Sequence, residues 1–393
     1  MKSLNPFSIY TFAWSSVVLL YFLNWSSLYP TLKLPLLLFL LFTCLFSLMI
    51  ANKKKNSSEF KRQKLSCPNR FKTLFALYTA IVYFLLLLEF VNAGGIPLFM
   101  YASQLMDDRA YQEFGLPVIK VFVSNSFSAI YVFSFYCFIS AEKGKRKFWL
   151  LLMVLSIIPP IICVQRGIVL NQIACHVIIY LMFNKVNIKK SASFIMGFIV
   201  IMYLFGVVGN MRSAHSDEDI FVNAWEANGN FEKTGIPNPF FWGYIYATSP
   251  LANLQNAIEK SNVDLIEYNF YNFIVFDIMP QIISKNIEVV DEADKYFVHP
   301  TLVVCTTYIH SLLSLGWMGM FLMYIYMVIF CCFFSRIIRV DSPYRIPVIA
   351  ILGNIMFFCI FDNMVHYMGT LPQIAVFLVL SGWFRNNKKL GRV

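Results

Sequence analysis

The chain has 393 residues, of which 58% are hydrophobic and only 13% are charged. Soluble domains carry about 25% charged residues, so this composition excludes an ordinary soluble protein. Apolar runs long enough to cross a hydrocarbon core of about 30 Å recur along most of the chain. The sequence therefore predicts an all-α, polytopic transmembrane protein rather than a β-barrel, whose strands would alternate in polarity.

Ten spans are predicted in chain order, with twelve as the upper bound. The first is longer than the apolar part of a signal peptide, has polar ends and lacks a small-residue cleavage site, so we expect it to be retained. The predicted spans lie at 7–25, 33–51, 73–92, 117–140, 148–165, 167–184, 191–209, 316–335, 346–362 and 369–384.

The charges of the connectors alternate sharply between the two sides of the membrane. Most of the 32 Lys and Arg residues fall on one side, in connectors such as 52–72 and 142–147 and in the tail after the last span. The positive-inside rule assigns that side, with both termini, to the cytoplasm. The net charge of +11 is therefore a sign of topology. We expect a lipid bilayer as partner and no nucleic acid.

Three regions follow from this topology. Residues 1–209 hold seven spans with short loops, residues 210–315 form a large outer loop, and residues 316–393 hold three spans and the cytoplasmic tail. Within the loop, the stretches 239–258 and 268–283 are rich in aromatic residues and look amphipathic. Such segments suit helices that lie at the membrane interface.

Arg166 stands in a tight connector, Gln165-Arg166-Gly167, on the predicted outer side. Basic residues are scarce on that side of membrane proteins, so this arginine needs a specific reason to be there. One interpretation is an interfacial anchor or an ion-pair partner for an acid on a neighbouring helix. The other is a phosphate ligand, because a planar guanidinium binds two phosphate oxygens at once.

Arg212 closes the next predicted outer end and follows two glycines, Gly206 and Gly209. Glycine lets helices and head groups approach closely. Arg166 and Arg212 could then face one cavity and together neutralise a diphosphate without a metal. Arg109 is a weaker candidate, because it stands beside two aspartates and a simple surface ion pair explains it.

Histidines and acids on the outer side are the candidates for proton transfer. His215 directly precedes the acidic run that includes Asp217, and His310 comes shortly before a predicted span. His366 stands four residues after Asp362, so the two share a face if that turn is helical. Groups of these types can deprotonate an attacking hydroxyl. The sequence does not choose among them, and its catalytic candidates are His215, His310 and Asp217.

Several chemistries are missing from the sequence. None of the nine cysteines forms a CxxC pair, so neither a disulfide framework nor a zinc site is predicted. There is no Walker loop, no GxSxG sequence and no HExxH sequence. We therefore expect no metal and no cofactor. Without a nucleotide-binding motif, the leaving group of any transfer reaction at this site must already be attached to a lipid that reaches the outer leaflet.

Four short motifs occur in a characteristic order relative to the spans: Gln165-Arg166-Gly167, Gly206-x-x-Gly209-Asn210-x-Arg212, Tyr246-x-x-x-Pro250-Leu251 and Leu315-Gly316-Trp317-Met318-Gly319. Together with the many spans, the dominant late outer loop and the outward arginines, they resemble the O-antigen polymerase (Wzy-type) family. These are oligosaccharide repeat-unit polymerases of the bacterial inner membrane.

The resemblance implies a membrane-embedded glycosyltransferase of the GT-C class, usually metal-independent. It would polymerise oligosaccharide repeat units carried on undecaprenyl diphosphate, at the periplasmic face. Arg166 and Arg212 would bind the diphosphate, and a flippase and a chain-length regulator are the implied partners. Aromatic residues of the long loop, Trp242 and Tyr246 among them, are expected to stack on sugar rings.

Two other functions remain open. An O-antigen ligase has a similar topology and outer arginines, but it would transfer the chain to the lipid A core. A flippase or transporter of the lipid-linked unit predicts charges in the middle of the spans and pseudo-symmetric halves, whereas mid-span charges are few here. The sugars and their linkage are not specified by the sequence.

Overall fold

The computed structural model describes residues 4–55, 69–103, 115–184, 220–261, 266–339, 342–367 and 369–389, together with residues 196, 197, 199, 200, 203 and 263. Helices make up 74% of the structure, and the described residues form no strand. The prediction of an all-helical protein is therefore confirmed for this part of the chain.

The helices are given in chain order. They are α1 Pro6–Tyr21, α2 Leu34–Lys55, α3 Asn69–Asn92, α4 Pro97–Ala102, α5 Pro117–Ser140, α6 Arg146–Ile162, α7 Arg166–Phe183, α8 Ile220–Ala224, α9 Gly229–Glu232, α10 Pro239–Lys260, α11 Phe270–Phe273, α12 Gln281–Ser284, α13 Ile309–Ile337, α14 Arg345–Phe358 and α15 Leu371–Lys389. A π-helical turn, Ile274–Ile278, continues α11. Two 3-10 turns lie at Lys143–Lys145 and Ala293–Tyr296.

Helices of membrane-spanning length and composition are present. Five segments in the described residues qualify: Leu34–Lys53, Phe71–Met100, Val118–Ser140, Arg166–Phe183 and Ile309–Ile337. Shorter apolar helices lie at Pro6–Tyr21, Arg345–Phe358 and Leu371–Gly382. Each predicted span coincides with a helix except 191–209, most of which lies outside the described residues.

The candidate spans differ in how deeply they lie in the bundle. Protein atoms bury 72% of the apolar window of α5, against 33% for α2 and 28% for the segment that contains α3. The outward surfaces of α2 and α3 carry large apolar side chains such as Leu38, Phe84 and Leu87. A continuous surface of this kind is unfavourable in water, so α2 and α3 face lipid while α5 forms the centre.

Helix α1 is bound into the bundle by helices from the far end of the chain. It packs against α2, α10 and α14. Gly353 of α14 makes the close approach possible, because a Cβ there would lie 2.7 Å from Cδ1 of Ile9. The buried hydroxyl of Tyr10 lies 2.6 Å from that of Tyr308 and donates to Thr43 at 3.0 Å. These contacts tie α1 to α2 and to the start of α13.

Helix α10 is more deeply buried than an interface helix. The stretch Thr248 to Ala257 has no exposed side chain, although it contains several polar residues. Asn253 donates to the carbonyl oxygens of Leu302 and Val304 at 2.7 and 2.9 Å, and its own oxygen accepts from the N–H of Val298. The polar face of α10 therefore holds the loop that leads to α13, which explains its amphipathic pattern.

Helix α13 contains a break at the predicted boundary between loop and span. Its backbone leaves helical geometry at Leu315 and Gly316, and Gly316 has φ 60° and ψ −147°. This region of backbone conformation is essentially restricted to glycine. The segment 309–314 is thus a separate turn of helix at the predicted outer end, and it carries His310.

A second position that requires glycine, Gly319, follows just after this break. A Cβ at Gly319 would overlap the backbone carbonyl of Ser311. We expect Gly319→Ala to lower the free energy of unfolding by about 1–3 kcal/mol, as overpacking does. Gly382→Ala is the control, because a Cβ there meets nothing within 4 Å and alanine favours the helix. Apparent Tm values in detergent compare the two, and equal values would contradict the close contact.

Candidate functional site

Arg166 begins α7 directly after a tight corner that ends α6. The N–H of Gln165 donates to the carbonyl of Pro160 at 2.8 Å, and the N–H of Val164 donates to that of Ile161 at 2.9 Å. This pair of bonds defines a Schellman motif, whose left-handed residue is usually glycine. Here that residue is Val164, with φ 55°. An L-residue in this conformation carries a strain of about 1–2 kcal/mol.

The side chain of Gln165 fixes this corner to the centre of the bundle. Gln165 is the N-cap of α7, yet its side chain makes no capping hydrogen bond. Its Oε1 instead accepts from the Ser124 hydroxyl of α5 at 2.9 Å. The corner is therefore attached to α5, the most buried of the candidate spans.

Arg166 lies near Tyr246 of α10. The Arg166 side chain is exposed and forms no ion pair within the described part of the chain. Burial raises the pKa of Tyr246, and the positive charge of Arg166 opposes this rise, so the two groups are near each other. The neighbouring Gly167 faces open space, because a Cβ there would meet nothing within 4 Å. An anion can therefore reach the guanidinium and the positive end of α7 together.

Three aromatic rings continue from Arg166 across this surface. Tyr246 is stacked on Trp242 with ring centroids 5.7 Å apart, and it contacts Phe361 at 5.6 Å. Tyr246 is 38% exposed, so its ring is accessible from solvent. We call Trp242, Tyr246 and Phe361 the aromatic wall. Such a row of rings with few polar groups is typical of a ligand-binding surface.

His310 lies beyond the aromatic wall, among carboxylates. Its Nδ1 is 3.6 Å from Oδ1 of Asp291, and its ring is stacked on Phe276 with centroids 5.1 Å apart. Asp362 follows Phe361 of the aromatic wall directly and is near enough to His310 for an electrostatic interaction. A histidine whose Nδ1 faces a carboxylate is suited to accept a proton at Nε2.

Asp362 lies near His310 at the protein surface. Its side chain is accessible to solvent, yet burial raises its pKa, while the Asn363 N–H and His310 oppose the rise. Burial lowers the pKa of His366, and His310 lowers it further. The segment 359–367 is a series of turns, so the helical spacing considered for Asp362 and His366 does not occur. The tertiary fold nevertheless brings both residues to His310.

Asp277 is a fully buried acid in the π-helical turn beside this cluster. Its carboxyl oxygens have no hydrogen-bond partner among the described residues, although the Ser311 hydroxyl is close. Burial raises the pKa of Asp277 well above its usual value, and Ser311 opposes the rise. Burial therefore favours the neutral, protonated form of this carboxyl group.

Replacement of Asp277 by Asn is expected to remove a pH dependence of stability. The folded protein keeps this proton up to the raised pKa, whereas an unfolded Asp releases it near pH 4. Between these values the wild-type free energy of unfolding falls by about 1.4 kcal/mol per pH unit as pH rises. Asp277→Asn should lose that slope and melt higher near pH 8, as apparent Tm values in detergent would show. Parallel Tm curves for the two proteins would contradict a raised pKa.

Behind the corner lies a small cavity of a different character. Glu89, Lys120, Ser124, Cys163 and Gln165 are among its lining residues. The Glu89 carboxylate accepts from the N–H of Leu116 at 3.1 and 3.2 Å, and it interacts electrostatically with Lys120. Because opposite charges meet there, the cavity is a poor site for a phosphate. Arg166 remains the better anion ligand.

The sequence-based candidates fall into two groups. Arg166, Trp242, Tyr246 and His310 lie on one connected surface. Four others lie outside the described residues: Arg109, Arg212, His215 and Asp217.

Sequence reasoning missed Asp291, Phe361 and Ser124. Asp291 and Phe361 are separated from their partners along the chain and have no local signal, and Ser124 is one of several serines in the predicted span 117–140. His366 and Asp362 were noticed for their spacing alone.

Comparison with family models, with curated proteins and with solved structures finds no match to this chain. The class that the fold itself supports is an all-helical protein with candidate membrane spans.

Proposed function

We propose that the protein polymerises undecaprenyl-diphosphate-linked oligosaccharide repeat units into O-antigen or a related polysaccharide. It would do so as a metal-independent glycosyltransferase of the GT-C type in the bacterial inner membrane. Both termini would be cytoplasmic and the site would face the periplasm. The flippase and the chain-length regulator of the same pathway would be its partners.

One observation carries the proposal. An exposed arginine without an acidic partner in the described residues stands at the start of α7 and beside Tyr246, where the aromatic wall begins. A cation at the membrane boundary next to flat apolar rings matches a lipid diphosphate that carries sugars. This observation also weighs against the interpretation of Arg166 as an ion-pair partner.

Different parts of this surface have different roles in the proposed reaction. Arg166 binds the diphosphate of the growing chain, assisted by Arg212. The sugar next to it packs on the aromatic wall. His310 takes the proton from a hydroxyl of the incoming repeat unit, and that oxygen forms a bond to the anomeric carbon. The bond from this carbon to the phosphate oxygen breaks, and undecaprenyl diphosphate leaves with its charge stabilised by the arginines.

The positions of charged residues in the spans help to distinguish a glycosyltransferase from a transporter. Glu89 is the buried charged residue of the candidate spans in the described ranges, and it lies near the end of α3. A transporter of a charged lipid head group is expected to carry charged groups in the middle of its spans. This distribution favours chemistry at one face over transport. A ligase would use the same type of site, with a different acceptor.

Deletion of the gene separates these functions. Loss of a polymerase leaves single repeat units on the lipid A core, and a plasmid copy restores long chains. Loss of a ligase leaves no repeat units on the core, and loss of a flippase leaves lipid-linked units untranslocated. Long-chain polysaccharide of normal amount in the deletion strain would overturn the proposal.

A further inference from the structure

We infer that Ser124, Val164 and Gln165 are positioning residues that hold Arg166 in the direction needed to bind a lipid diphosphate. The inference rests on the proposed function, since it concerns how the guanidinium is presented to the leaving group. It adds a set of residues that do not themselves contact the substrate.

The first reason is the identity of Val164. The left-handed position of a Schellman motif is served best by glycine, which adopts φ 55° without strain. Closing α6 therefore does not require valine there. A β-branched side chain does restrict the accessible dihedral angles, so the corner has fewer alternative shapes than a glycine corner has. Strain of this kind is often retained where a functional group must be held in place.

The second reason is the direction of Gln165. A helix usually begins with Ser, Thr, Asp or Asn, whose short side chain caps the first N–H groups. Gln165 occupies this position at α7 and caps nothing, because its amide oxygen accepts from Ser124. The hydrogen bond joins the residue before Arg166 to α5, the most buried of the five candidate spans.

The backbone completes the support. The N–H of Arg166 donates to the carbonyl of Val164 at 3.1 Å, and the N–H groups of Ile168 and Val169 both donate to the carbonyl of Gln165. The Cα of Arg166 is thus fixed on both sides. An arginine side chain has several rotatable bonds. Because its Cα is already fixed, less conformational entropy is lost when the guanidinium binds an anion.

A double-mutant cycle tests the inference with the full-length protein in detergent. The probe is undecaprenyl diphosphate, and undecaprenol, which lacks phosphate, measures binding of the chain alone. We expect Ser124→Ala to weaken diphosphate binding about five- to tenfold when Arg166 is present and to have almost no effect in an Arg166→Ala background. Undecaprenol binding should not change. Ser124→Thr, which keeps the hydroxyl, should restore the affinity.

Two further variants test whether the effect is specific to the corner before Arg166. Ser134→Ala makes the same change on the same helix at a buried hydroxyl without a described partner, and it should leave diphosphate affinity unaltered. Val164→Gly should keep or raise the apparent Tm while it weakens diphosphate binding, because it removes strain and rigidity together.

The outcomes are separable. A Ser124→Ala effect of equal size with and without Arg166, or an equal loss of undecaprenol binding, would overturn the positioning role and leave the proposed function intact. If Arg166→Ala itself leaves diphosphate affinity unchanged, the proposed role of Arg166 fails, and the inference fails with it.

Discussion

Replacement of Arg166 by Ala is expected to slow repeat-unit polymerisation about 10²–10³-fold, the usual effect of losing one preorganised group that stabilises developing charge. The guanidinium stands at the start of α7, where a leaving diphosphate would gain negative charge. Arg166→Lys keeps the charge and loses the planar fork, so its loss should be smaller but clear. The measurement is the length distribution of polysaccharide in a strain that lacks its own copy, followed by the rate with purified protein.

Lys33 supplies the matched control for this experiment. It is also a cation before a helix start on the predicted outer side, but it already pairs with Glu259 at 3.4 Å. Lys33→Ala should therefore leave polymer length unchanged. Undiminished long chains with Arg166→Ala would show that the arginine is an anchor and not a substrate ligand.

Replacement of His310 by Ala is expected to lower the rate of glycosyl transfer about 10²–10⁴-fold, the range over which a positioned general base contributes. Asp291 at Nδ1 and Phe276 against the ring fix the imidazole, and in the proposed reaction its Nε2 would accept the proton of an acceptor hydroxyl. Binding of undecaprenyl diphosphate should be unaffected, because the arginine is unchanged. Single-turnover rates and binding affinities, measured on the same preparation, separate these two effects.

His299 is the control for His310. It lies in the same outer loop, and its Nδ1 is 2.8 Å from the Thr301 hydroxyl. His299→Ala should change the rate little. A normal rate with His310→Ala would shift the proton-transfer role to His215 or Asp217, and equal losses for both histidines would indicate damage to the loop instead.

The sequence predicts the long helices well because the membrane imposes a simple requirement. A helix such as α2 must be long and apolar, and both properties are read directly from the chain. The start of α13 was harder to locate. His310, Ser311 and Ser314 interrupt the apolar pattern, so the turn of helix before Gly316 looked like loop.

The site depends on contacts that no local pattern encodes. Arg166 was recognisable because its charge was on the unfavoured side of the membrane. Its proximity to Tyr246 requires α7 and α10 to meet, and the sequence contains no signal for that contact. Asp291 has the appearance of a surface acid in a polar segment, and Asp362 is marked only by its spacing to His366. Only the folded chain brings them to His310.

The hydrogen bond between Tyr10 and Tyr308 joins residues 298 positions apart. Ribosomes add about 5–20 residues per second, so α1 enters the membrane tens of seconds before α13 and α14 exist. During this time the face of α1 that fits Gly353 has only lipid or unrelated helices as neighbours. A chain truncated before α13 therefore lacks the α14 partner of its first helix, and quality-control proteases would meet an incompletely packed α1 at the N-terminal end of the chain.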